Sequence, residues 1–143
     1  MNKETRNPRS KKVQVVVFLK ESAENYVLML QTNKRRGEFW QNITGGVDQG
    51  ESFTEAASRE LIEETKIESQ VNETDLFLKF HDQWQKDVTE QVFWATSLTR
   101  EVEISSDEHQ DCKWINIEEI SKDSYKYPSN FEAFKECLKC FLK

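Results

Sequence analysis

An α+β fold, a mixed β-sheet covered by helices on its faces, is what this sequence predicts, and three observations carry the prediction. Apolar runs rich in β-branched residues recur along the chain at strand length. Two segments switch to helical spacing, each behind a serine-to-glutamate capping signature. No strict strand–helix alternation joins them, which argues against a doubly wound parallel sheet.

Residues 1–10 are polar, contain Pro8 and read as a flexible leader. Val13 and then Val15, Val16, Val17, Phe18 and Leu19 give the first strand signal. A turn over residues 21–25 precedes a second strand over 26–30. The polar loop 32–38 leads into Phe39, Trp40, Gln41, Asn42, Ile43 and Thr44, a pattern that Gly45 and Gly46 break. Ser52 with Glu55 three residues later forms a capping box, and Phe53, Ala57 and Leu61 recur every fourth residue, so a helix is expected over 53–65. Strands are expected over 76–80, 88–98 and 113–117. Ser129 and Glu132 form a second capping box before Phe131, Phe134, Leu138, Phe141 and Leu142, the stripe of a C-terminal amphipathic helix.

At 143 residues the chain has the size of one domain, and we expect a single domain over 1–143. Nine Phe and four Trp supply bulky core material, which argues against global disorder. The net charge of −6 does not suit a nucleic-acid or membrane binder, so an anionic substrate needs local help from cations. Neither a secretory signal nor a run of membrane-spanning length is present, and three cysteines without framework spacing fit a reducing cytoplasm. Cys137 and Cys140 share Cys-x-x-Cys spacing but fall inside the last helical pattern, where packing is the expected role. His81 and His109 are too scattered for a zinc site.

The chemistry concentrates in the first helix. Glu60, Glu63 and Glu64 stand at i, i+3 and i+4, so their side chains project within an arc of roughly 100°. Like charges so spaced are mildly unfavourable unless a cation sits between them. Mg2+, which prefers oxygen ligands and substrate phosphates, suits that place, although a solvated acidic face has the same pattern. Immediately before the helix, Thr44-Gly45-Gly46-Val47-Asp48-Gln49-Gly50-Glu51 is a glycine-punctuated loop ending in another carboxylate. Glycine lets the backbone approach a ligand closely.

As one unit, Gly45-x5-Glu51-x7-Arg59-Glu60-Leu61-x-Glu63-Glu64-x-x-Ile67 resembles the Nudix box, the 23-residue loop–helix–loop signature of hydrolases acting on nucleoside diphosphates linked to another group. One position departs, since Lys66 stands where the family has glycine. Such a lysine must either adopt a left-handed conformation, at about 1 kcal/mol, or let the helix exit differently. The resemblance implies an α/β/α sandwich. It further implies Glu60 and Glu64 as principal Mg2+ ligands (Mn2+ as a substitute), Glu63 as third ligand or general base, and Arg59 orienting the loop through Glu51. The carbonyl of Thr44 or Gly45 is a further candidate ligand. A catalytic set of Glu63, Glu60, Arg59 and Glu51 follows from the same resemblance.

Beyond the box, Val27-Leu28-Met29-Leu30-Gln31 and residues 39–45 are similar to the bacterial dihydroneopterin triphosphate pyrophosphohydrolases, a folate-pathway branch. Glu108-His109 followed by Lys113-Trp114, and Ser129-Asn130, match that branch as well, which implies Glu108 as an additional metal ligand. Residues 68–103 match poorly. The expected activity is therefore cleavage of a nucleoside or dihydroneopterin triphosphate to monophosphate and pyrophosphate. Dinucleoside polyphosphates or RNA 5′ ends are the alternative substrates, and a non-catalytic nucleotide-binding module is a second alternative. For the substrate itself, Lys12, Lys34 and Arg35, with Arg36 beside them, are candidate phosphate contacts. Thr44, Phe39, Tyr127 and Trp84 are candidates to hold a ring, although Phe39 and Trp40 follow strand spacing and fit a core. A small triphosphate is the expected partner, with no DNA or membrane, in a monomer or homodimer.

Overall fold

The apolar run over residues 13–19 has almost no polar side, and the computed structural model, which describes residues 10–81 and 86–143, shows why. Strand β1 (Lys11–Glu21) lies in the middle of the sheet with every residue from Val13 to Leu19 buried. A strand covered on both faces loses the alternation that one-sided burial produces. Ser22 and Ala23, both at positive φ, turn β1 into β2 (Glu24–Thr32). Two positive-φ residues make the hairpin turn whose twist matches its strands.

Strands β3 (Trp40–Gln41), β4 (Ile43–Gly46), β5 (Asn72–His81), β6 (Asp87–Ser97) and β7 (His109–Asn116) complete a seven-stranded sheet of order β3-β2-β1-β6-β5. Strand β4 pairs with β1 beside β2, and β7 pairs with β2. The sheet is mixed: β1 and β6 run parallel, from Lys11 opposite Thr89 to Leu19 opposite Ser97, and the other described pairs are antiparallel.

Helix α1 (Phe53–Thr65) covers one face and α2 (Pro128–Phe141) the other. Ala56, Ala57 and Leu61 of α1 share a core with Val13, Val15, Val17, Phe93 and Ala95. On the opposite face Ala133, Phe134 and Cys137 pack with Val16, Phe18 and Val92, and the Phe18 and Phe141 rings stack with centroids 4.5 Å apart. Cys137 is buried there as packing, its thiol 3.4 Å from the Phe93 carbonyl.

The predicted α1 capping box forms in both directions, with Ser52 Oγ accepting from the Glu55 N–H at 3.0 Å and Glu55 Oε1 accepting from the Ser52 N–H at 2.9 Å. Lys66 ends the helix in the left-handed conformation (φ 66°), and its N–H reaches the Ile62 carbonyl. The lysine thus adopts the geometry that glycine would supply without strain.

Four sequence expectations need correction. The Ser129–Glu132 capping box does not form, because Pro128 already occupies the first turn and Tyr127 is the N-cap, without a side-chain cap. A proline there has its φ pre-set for the helix and lacks an N–H that would be unpaired anyway. Leu142 lies past the last turn, half exposed. Strand β6 stops at Ser97, leaving Leu98 almost wholly exposed. Strand β7 begins at His109, earlier than expected, and Ile117 opens a short 3-10 turn (Ile117–Glu119). The first nine residues of the expected leader, and Trp84, lie outside the described residues. Among the described residues no helix is long and apolar enough to cross a membrane.

Candidate active site

Gly45 sits in β4 opposite Val13, directly beneath α1. A Cβ at this position would overlap the Glu60 carboxylate, so only glycine lets that side chain lie against the strand backbone. The helical spacing then divides the three glutamates. Glu60 and Glu64 are 7% and 2% exposed, while Glu63 reaches solvent.

Arg59 holds this arrangement to the preceding loop. Its guanidinium donates to both oxygens of Glu51, at 2.8 and 2.9 Å, and to the Gly46 carbonyl at 2.8 Å. The other arm contacts Glu60 at 3.0 Å and Glu63 at 3.3 Å. The Arg59 hydrogen bonds hold Glu51 below its ordinary carboxylate range. Glu60 goes the other way: burial pushes it up to about 7, with Arg59 opposing and Glu63 and Glu64 adding to the rise. One guanidinium does not balance this cluster, so a further cation would relieve it.

Glu64 meets the end of β7. Its Oε1 lies 3.0 Å from Nδ1 of His109, a residue fully buried in the sheet. His109 Nε2 faces the side-chain amide nitrogen of Gln41 at 3.1 Å. Next to it Glu108 is ion-paired with Arg36 at 3.2 Å, and burial, followed by the charge of Glu64, raises its pKa. Ligand-type atoms of Glu64, Glu108 and His109 lie within 4.8 Å of one another. Both nitrogens of His109 are engaged within the protein, which leaves a donor set dominated by carboxylate oxygens. Such a set fits a hard divalent ion such as Mg2+ or Mn2+ better than zinc.

On the α2 side of β4 opens a cavity of about 530 Å³. Lys12, Thr44 and Tyr127 line it, as do Gln41, Phe80 and Glu90. Thr44 joins the two sides, since it borders the cavity while the adjacent Gly45 underlies Glu60. The cavity wall is braced by a buried amide chain. Gln14 donates to Glu90 at 3.0 Å, Asn42 donates to Gln14 at 2.8 Å, and the Asn42 N–H reaches Asn130 Oδ1 at 2.8 Å. Burial pushes the Glu90 carboxyl up, while Lys12 and Gln14 oppose the shift.

The basic loop stands elsewhere. Lys34 and Arg35 belong to an exposed 3-10 turn (Lys34–Arg36), outside the cavity lining. Arg35 donates to the Asp107 carbonyl at 3.4 Å and the Asn33 N–H to the Glu108 carbonyl at 2.9 Å, so this loop braces the turn that presents Glu108. Phe39 is half-buried and meets Tyr127 edge-on, with ring centroids 5.3 Å apart.

A NUDIX domain family model matches residues 10–137, nearly the whole chain. The chain belongs to the Nudix family. This Nudix hydrolase is 27% identical over 139 residues to the dihydroneopterin triphosphate diphosphatase of Haemophilus influenzae, covering 88% of this chain and 85% of that protein. Nudix hydrolase 5 of Arabidopsis thaliana is 30% identical over 124 residues, but there the match covers 80% of this chain and only 40% of the plant protein. Among solved structures, the E. coli dihydroneopterin triphosphate pyrophosphohydrolase superposes with a TM-score of 0.74 at 26% identity, covering 87% of this chain and 92% of that one. A C. elegans Ap4A hydrolase gives 0.72 at 25% identity, covering 91% and 98%. The mixed sheet between two helices is the Nudix architecture that the sequence implied.

Sequence reasoning passed over Gln41, Glu90, Gln14 and the contact role of His109. A signal existed for one of them, because Gln14 is a polar residue inside an otherwise apolar strand run. A buried polar side chain needs a partner, and Glu90 supplies it. His109 lies far in sequence from both Glu64 and Gln41, and no local pattern reports that meeting.

Proposed function

We propose that this Nudix hydrolase is a Mg2+-dependent pyrophosphohydrolase that cleaves a nucleoside or dihydroneopterin triphosphate into monophosphate and pyrophosphate. The observation that carries the reading is the abutment at Thr44–Gly45 of a carboxylate cluster and a ring-sized cavity. In this reading Glu60, Glu64, Glu108 and the Thr44 or Gly45 carbonyl hold the metal. A bound divalent ion would supply charge to neutralise phosphate oxygens and would lower the pKa of a water so that it can lose a proton and act as nucleophile. Glu63, solvent-facing and tethered to Arg59, takes the proton from the attacking water or adds a ligand. Arg59 fixes the loop through Glu51 and bridges Glu60 and Glu63 through one guanidinium nitrogen. Lys12 stands at the cavity to meet the triphosphate, and Phe80 and Tyr127 offer apolar surface to a flat ring. The relatives' names and the branch segments at Glu108 and Ser129 support the pterin as first candidate.

The experiment is pyrophosphate release from a panel of nucleoside triphosphates and dihydroneopterin triphosphate, with Mg2+ and again with chelator. A Mg2+-dependent preference for the pterin of about tenfold in kcat/KM, or 1.4 kcal/mol, supports the branch. Activity spread over several nucleotides removes the folate role and keeps the chemistry. The likeness to the Ap4A hydrolase favours a second reading, a dinucleoside polyphosphate substrate. Turnover of a dinucleoside tetraphosphate with none of the mononucleotides would establish it instead.

A further inference from the structure

His109 is a complete polar side chain placed where an apolar one would pack. It is 1% exposed, and each ring nitrogen has one partner: Nδ1 with Glu64 Oε1 at 3.0 Å and Nε2 with the Gln41 amide at 3.1 Å. The Gln41 amide nitrogen can only donate, so Nε2 accepts and the ring proton sits on Nδ1, where it donates to Glu64. We propose that His109, locked in its Nδ1–H form by Gln41, is the positioning residue that aims the Glu64 carboxylate at the divalent cation. The inference rests on the reading of Glu64 as a metal ligand and adds the device that orients it.

Three features support an orienting role over a ligand or packing role. A ligand nitrogen must be free, and neither is. A packing residue needs no matched pair of hydrogen bonds. Glu64 is the last glutamate of α1, close to where the helix ends at Lys66, and its carboxylate has no ion pair with Arg59 like those of Glu60 and Glu63. Hydrogen bonding of one oxygen to His109 fixes the carboxylate plane and leaves the other oxygen for the cation. Hydrogen-bonded supports of this kind set ligand orientation at metal sites, and losing them typically weakens metal binding about 10- to 100-fold. Gln41 also borders the substrate cavity, so the support runs from the cavity wall to the metal ligand.

The test is Mn2+ binding to substrate-free protein, followed by electron paramagnetic resonance, with folding checked by near-ultraviolet circular dichroism. His109→Leu is expected to bind Mn2+ at least about tenfold more weakly. His109→Asn, whose amide N–H falls near the former Nδ1–H, should recover most of that loss. Gln41→Met, which frees Nε2, should weaken binding to an intermediate degree, and ¹⁵N chemical shifts should show the ring leaving its single Nδ1–H form. Parent-like Mn2+ affinity in His109→Leu, or equal weakening by Leu and Asn, overturns the proposal. Should His109→Leu fail to fold, Gln41→Met decides, and unchanged affinity and ring protonation there overturn it too. Glu64→Gln separates the two levels: if it binds Mn2+ as the parent does, the ligand reading itself fails. If it binds weakly while the His109 and Gln41 variants bind normally, only the positioning role fails.

Discussion

On the α1 side of the sheet stand Arg59 and the carboxylates of Glu51, Glu60, Glu63 and Glu64, whereas the α2 side carries amides, aromatic rings and the buried Glu90. The α1 side gathers more negative charge than its guanidinium can neutralise, and burial there lifts Glu60 to about 7. The α2 side pairs its polar groups with one another, through Gln14, Asn42 and Asn130. One strand, β4, serves both, because successive residues of a strand point to opposite faces. On the proposed function, chemistry and recognition would lie a single residue apart, and changes on each side should alter different measurable quantities.

The sharpest break of that division is Glu64→Gln, which keeps side-chain shape and removes charge. Several kcal/mol of transition-state stabilisation should go with it, a fall in kcat of roughly 100- to 1,000-fold with the melting temperature preserved. Near-parent turnover in the folded variant would remove Glu64 from the metal. Gly45→Ala comes next. The added methyl displaces the Glu60 carboxylate rather than any backbone, so kcat should drop about tenfold or more while stability changes by less than about 1 kcal/mol. If instead the protein unfolds with its activity per folded molecule intact, the close approach matters for packing alone. Glu108→Gln should cost less, about tenfold or below in kcat, because its carboxylate also pairs with Arg36 and stands at the edge of the cluster. A silent variant would detach Glu108 from the site and weaken the likeness to the pterin branch.

The smallest effect belongs to the α2 side. Glu90 has a folded-state pKa raised by burial above its ordinary 4.5, so the folded protein holds a proton that the unfolded chain releases. Its contribution is then unfavourable at high pH: stability falls as pH rises from about 4.5 upward, and below that value the group is neutral in both states. Glu90→Gln should therefore gain melting temperature relative to the parent at pH 8 compared with pH 4, without loss of Mg2+ dependence. An equal difference at both pH values would show that the carboxyl has the same pKa in the folded and unfolded states.

What the sequence made legible was local. The limits of α1, its capping box and the loop carrying Glu51 follow from signals within a few residues of each other, and the structure reproduces them at Phe53 and Thr65. The three glutamates share a helix, so their convergence is set by helical geometry. Ser129 and Glu132 failed because two local signals competed and Pro128, closer to the helix start, prevailed. Lys34 and Arg35 stand apart from the cavity lining for a different reason. A basic cluster states charge but not direction, and the turn aims Arg35 at the backbone of the Glu108 loop instead of the cavity. The contacts of His109 with Glu64 and Gln41, and of Gln14 with Glu90, join elements distant in sequence and are products of topology.

The parallel pairing of β1 with β6 has a kinetic consequence. Val15 finds Phe93 only after α1 and β5 have been traversed, so the central strand of the sheet cannot gain its second edge until β6 has been made. Until then the run from Val13 to Leu19, uncharged and strongly β-forming, can pair only along the edge that β2 and β4 share, and its other edge is open to pairing with another chain. The lysines at positions 11, 12 and 20, which bracket that run, are the kind of charge that discourages such stacking during the interval.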